Sequence, residues 1–185
     1  MAEVLRHTLM YVALPLWSLA GLADWWCHRR TGIERTTGIR ESLFHWLMFA
    51  QMALASLGAL LLEINALVLV LLAVFFCLHE ATTWVELRFV HPVRDITPTE
   101  QMVHSFMELI PLGAIAMLGA LHAGQLSALW SAAPADWGWR LKTEPLPVRY
   151  LTGAVLGVFL LNVLPLLEEL ARCWRVRSGI KRAAP

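Results

Sequence analysis

The chain has 185 residues, of which 58% are hydrophobic and only 16% charged, and its mean hydropathy is +0.58. Ordinary globular domains are nearer about 45–50% apolar and about 25% charged, so the composition excludes a water-soluble body and indicates the bilayer. A net charge of +1 says nothing about nucleic acid, and no basic patch carries interleaved aromatics, so no nucleic-acid partner is expected.

A spanning helix needs about 20 mostly apolar residues, and five segments qualify. The expected fold class is an all-α integral membrane protein. Five transmembrane helices, four of them in an up-and-down bundle, form one membrane domain over residues 1–185. The first span is expected over about 8–28. The residues Met-Ala-Glu-Val-Leu-Arg before it lack the short hydrophobic core and small-residue cleavage site of a signal peptide, so this segment is expected to remain as a span. The second span covers about 41–62, Glu63-Ile64-Asn65 forms a tight turn, and the third span covers about 66–90. His91-Pro92 ends it, because proline disfavours helix in the residue before it. Thr97-Pro98-Thr99-Glu100 matches a capping box with proline at the first helical position, which starts a fourth span over about 98–122. Within it Pro111 frees the carbonyl of Met107 and should bend the helix. A polar, Trp/Pro-rich loop over 123–147 leads to the fifth span, about 148–170, and a tail over 171–185.

Lys and Arg are unevenly placed. Eleven (Arg29, Arg30, Arg35, Arg40, Arg88, Arg94, Arg172, Arg175, Arg177, Lys181 and Arg182) fall on one side and four (Arg6, Arg140, Lys142 and Arg149) on the other. The positive-inside rule then puts the N-terminus outside and the C-terminus in the cytoplasm, as in a bacterial-type inner membrane. Seven tryptophans near span boundaries read as an aromatic belt (Trp25, Trp26, Trp46, Trp84, Trp130, Trp137 and Trp139). The three cysteines, Cys27, Cys77 and Cys173, show no metal or disulfide spacing. A short echo, Thr31-Gly32-Ile33 against Thr37-Gly38-Ile39, lies in an interfacial loop.

Acid/histidine groupings recur at the same end of four successive spans: Asp24-x-x-x-His28, Glu41-x-x-x-His45, His79-Glu80 with Glu86, and His104-x-x-x-Glu108. Residues four apart share a helix face, so each pair aims a carboxylate and an imidazole at one spot. Ionisable side chains at membrane depth are costly and mark function. The expected metal ligands are Asp24, His28, Glu41, His45, His79, Glu86, His91, His104 and Glu108. Glu86 returns to the face of His79 after seven residues, whereas Glu80 is turned away by about 100° and is expected to orient the imidazoles from behind.

Carboxylates that neutralise charge together with imidazoles suit two divalent ions, iron foremost, with zinc or manganese as other occupants. Soluble di-iron bundles build such sites from glutamates and Glu-x-x-His pairs on four helices; the likeness is architectural. The HxxxH and HxxHH boxes of membrane desaturases do not occur. The expected function is a membrane metalloenzyme acting on a lipid or other apolar substrate, by hydroxylation or desaturation with a redox partner, or by zinc-assisted hydrolysis. The alternatives are a haem electron carrier or quinone oxidoreductase, a metal-ion transporter, and a purely structural subunit.

Overall fold

The structure, a computed structural model, describes residues 1–183. Among them it is an all-α bundle of five long helices and one short one. Helix α1 runs over 2–31, α2 over Ile39–Leu61, α3 over Ala66–Val90, α4 over Pro98–Leu121, the short α5 over Ala123–Ala128, and α6 over 148–183. Four of the long helices (α2, α3, α4 and α6) are apolar enough to cross a membrane. The ends of α2, α3 and α4 fall within two residues of those expected. Helix α1 is longer at both ends than the 8–28 expected, and α6 continues as helix through residues read as a tail. Residues 184–185 of that tail lie outside the described residues.

Local chemistry explains the boundaries. Asn65 caps α3 by accepting from the Val68 N–H at 3.1 Å. The Thr97 hydroxyl accepts from the Glu100 N–H at 3.2 Å, completing the capping box. Helices α1 and α6 each carry a π-turn, Leu9–Ala13 and Phe159–Val163, and each turn is followed by Leu-Pro (Pro15 and Pro165). Proline has no N–H and crowds the carbonyl four residues back, so a widened turn just before it relieves both faults. The Thr-Gly echo has a backbone meaning: Gly32 at φ 68° ends α1 and Gly38 at φ 62° precedes α2, both in the left-handed half that glycine tolerates.

The helices associate as two pairs. Helix α1 packs on α4 and α2 on α3, α6 lies across α1 and α2, and α1 and α2 hardly touch one another. A seam therefore runs the length of the bundle between the pairs. At the end where α2 meets α3, Ala55, Leu62, Ile64, Val68, Leu69 and Leu72 form the apolar core. The loop 129–147 folds over this far end: Asn65 donates to the Gly138 carbonyl at 2.8 Å, and Glu63 accepts from the Thr143 N–H and hydroxyl at 2.7 and 2.8 Å. At the near end three arginines lie over aromatic rings of the predicted belt: Arg29 on Trp25 at 5.6 Å, Arg30 on Trp26 at 4.5 Å and Arg88 on Trp84 at 4.5 Å. The near half buries carboxylates and imidazoles beside a few apolar side chains, Cys27, Ile33, Val90 and Cys173.

Candidate metal centre

Helix spacing delivers the first members. Asp24 and His28 close α1 and Glu41 and His45 open α2, each pair on one face. Glu86 comes from the last turns of α3, and Glu100 and His104 from the first turns of α4. The fifth helix adds Glu169, one turn past Pro165. Five carboxylates and three imidazoles thus meet, all buried except the partly covered His104.

They sort into two lobes. In one, His28, Glu100 and His104 bring donor atoms within 4.8 Å of one another; in the other, Glu41, His45 and Glu86 do the same, and a third group, Asp24 with His28 and His45, overlaps both. Asp24 joins the first lobe, 3.0 Å from His104 Nε2 and 3.5 Å from His28 Nδ1. Glu169 spans both: one oxygen lies 3.3 Å from His28 Nδ1 and the other 2.7 Å from His45 Nδ1. The His28 and His45 rings stack in parallel, 4.3 Å between centroids and 3° between planes, which sets the lobes side by side. His28 Nε2 also lies 3.3 Å from Glu100, and His45 Nε2 lies 2.9 Å from Glu86.

Arg94, from the loop between α3 and α4, ties the lobes from the loop side. Its guanidinium engages Glu41 and, at 2.5 and 3.1 Å, Glu100. Burial works against the charged form, but the hydrogen bonds the guanidinium donates to Glu100 and Glu41 outweigh it and raise the pKa above the ordinary arginine value. The Thr37 hydroxyl donates to Glu41 and fixes that carboxylate at the helix start. Outside the cluster, Glu168 accepts from Arg29 at 2.7 Å and from the Trp25 indole at 2.9 Å, which docks α6 on α1.

No family model, characterised protein or solved structure matches the chain. The centre is therefore read from its own geometry.

Of the residues expected from sequence, Asp24, His28, Glu41, His45, Glu86 and His104 come together. The remaining four lie elsewhere. Glu108 is one turn deeper than His104 on α4 and joins none of the donor groups; Glu100, one turn the other way, stands in its place. His79 is buried on the face of Glu86 but seven residues from it, about 10 Å along the axis. His91 is exposed at the α3 terminus. Glu80 sits close enough to Glu108 to feel its charge and does not back the clustered imidazoles. Sequence reading missed three members. Glu100 was visible, but its capping role absorbed it; the side chain does both, accepting from the Thr97 N–H at 3.4 Å. Arg94 was counted only for topology. Glu169 has no histidine four residues away, and its one sequence signal is a Glu-Glu pair inside an otherwise apolar turn after a proline.

Proposed function

We propose that this chain is a membrane-embedded metalloprotein whose near-end cluster holds two divalent ions and acts on a lipid-like or other apolar substrate. One observation carries the reading. Five buried carboxylates converge with three imidazoles and a single guanidinium, so with the imidazoles neutral, as metal binding requires, the carboxylates exceed the guanidinium by four charges. Buried charge of that size is too costly to leave unmatched, and two divalent cations carry the opposite charge. The two lobes supply one ion each with imidazole nitrogen and carboxylate oxygen, and Glu169 is placed to touch both.

That donor set suits iron, zinc or manganese better than calcium or magnesium, which prefer oxygen alone. With iron the centre would serve oxidation of an apolar chain: C–H and dioxygen, with two electrons and two protons from a redox partner, give C–OH and water. With zinc it would activate water toward an ester or amide. The positive-inside bias supports a position for the centre near the cytoplasmic face of an inner membrane. Axial haem ligands meet an iron end-on from opposite faces of a porphyrin; imidazoles stacked in parallel at 4.3 Å leave no place for the macrocycle.

The test is elemental analysis of protein purified in mild detergent, together with its visible spectrum. About two transition-metal ions per chain and no Soret band are expected. An intense Soret band, or metal-free protein from cells grown in replete medium, would overturn the proposal.

A further inference from the structure

The far half of the seam is hollow. A cavity of about 380 Å³ lies there between α1, α2 and α4, within the size range of small-ligand pockets. Its three walls share one design. Each is a helix face that starts at a polar residue at or just past the helix end and finishes eleven residues deeper: Arg6 to Trp17 on α1, Glu63 in the turn after α2 to Met52, and His122 at the end of α4 to Pro111. Eleven residues of helix rise about 16 Å. Between these limits the lining is apolar apart from Ser56. It therefore offers an ion no ligands, and a hydrocarbon chain a dry, elongated slot.

The same three faces continue into the metal centre. Seven residues beyond Trp17, Met52 and Pro111 stand Asp24, His45 and His104; eleven beyond stand His28, Glu41 and Glu100. Cavity floor and ligands are thus in register, about 10 Å apart along the axis. On α3 Leu72 lines the cavity, Glu86 joins the centre, and His79 falls midway on the same face. The separating layer holds Met48 and Met107, unbranched side chains that repack readily. Pro111 leaves the Met107 carbonyl without its helical donor, and the Trp17 indole N–H takes it at 3.2 Å. The floor is fixed by that bond while the methionines above the centre are left adaptable.

The mouth is polar. Arg6, Lys142, Tyr150 and His122 line it with Glu63 and Glu144. Glu63 is already held by Thr143. Lys142 spends part of its donor capacity on the Ala59 and Leu62 carbonyls and keeps a proton to offer. The geometry points to a binding site for a long-chain amphiphile with an anionic oxygen head: the head sits between Arg6 and Lys142, and the chain runs down the seam with its far end toward the metal centre. This deepens the metalloenzyme reading by naming its substrate class, and its role as substrate rests on that reading; the binding itself does not.

The test uses full-length protein in nanodiscs and palmitate carrying a photoreactive diazirine at its terminal carbon, with crosslinks mapped by mass spectrometry. Crosslinks are expected at Trp17, Met52 and the Met48 and Met107 layer. Ala59→Phe and Ala114→Phe should each cut them at least fivefold with metal content unchanged. They should persist in chelator-stripped protein, so that failure of the metal reading and failure of the cavity reading are separable. Unlabelled palmitate should compete at least tenfold better than hexadecanol, and Arg6→Gln should remove that preference. Palmitate competing better than an anionic phospholipid identifies a free acid as the occupant; the reverse order identifies a bilayer lipid. Crosslinks confined to outward residues such as Leu16, Leu57 and Leu109, or equal competition by the alcohol, would overturn the assignment.

Discussion

Glu169→Gln tests the centre most directly, because its two oxygens lie against one histidine of each lobe. The substitution keeps the side-chain volume, and the amide oxygen can still accept from one imidazole, so the helix packing around it is preserved. It removes one of five carboxylates, and one whose two oxygens address histidines of different lobes, at 3.3 and 2.7 Å. Loss of a group that ligates or orients ligands costs about 10–100-fold in metal affinity, or about 1.4–2.8 kcal/mol. The remaining negative charge also falls by one, which weakens retention of the second ion in particular. Metal content after dialysis against graded chelator should drop from about two ions per chain toward one, at a chelator midpoint shifted by that factor. Glu168→Gln supplies the control: its neighbouring carboxylate pairs with Arg29 and Trp25, away from the centre, and should leave the midpoint in place. Two ions retained by Glu169→Gln at an unchanged midpoint would refute the bridging geometry.

Other consequences can be checked in the same preparations. Arg94→Met strands Glu41 and Glu100 without their cation, and breaking a buried pair in this way costs about 3–5 kcal/mol, so metal-free protein should melt markedly lower by calorimetry. Arg94→Lys should recover only part of this, since one ammonium cannot reproduce contacts to two carboxylates. Gly21→Ala drives a methyl into Asn162 on α6; the overpacking should destabilise by about 1–3 kcal/mol, and Asn162→Ala in the same chain should restore most of the loss. Glu108→Gln and His91→Ala should both keep full metal content by elemental analysis, because neither residue reaches the cluster.

Where the sequence succeeded, periodicity was local. The i, i+4 pairing of Asp24 with His28 and of Glu41 with His45 needs only one helix, and the capping box at Thr97 needs only four residues. Helix existence and bundle class followed from apolar run length. Where it failed, depth decided. His104 has an acid four residues away in each direction, and nothing within α4 says that the centre lies toward Glu100 rather than Glu108. The same seven-residue step that puts His79 on the face of Glu86 carries it two turns away. Glu169 depends on how α6 crosses α1 and α2, which is set by the packing of Asn162 against Gly21 and by the Glu168 contacts to Arg29 and Trp25. No local spacing rule contains that crossing.

The pairing of helices explains why the centre and the hollow occur together. A seam between two helix pairs must be filled or left open along its whole length. In the near half, carboxylates and imidazoles from α1, α2, α3, α4 and α6 converge on it, the cluster proposed to hold cations. In the far half α6 contributes only Tyr150 to the lining, and small residues (Ala13, Ala55, Ala59, Ala114) keep the walls apart. Larger side chains at those positions would close the gap and gain contact area at about 25 cal/mol per Å² of apolar surface buried. Stability alone would favour closure. A hollow in register with eight ligand-type side chains fits the proposed reading, in which a chain would approach the metal centre.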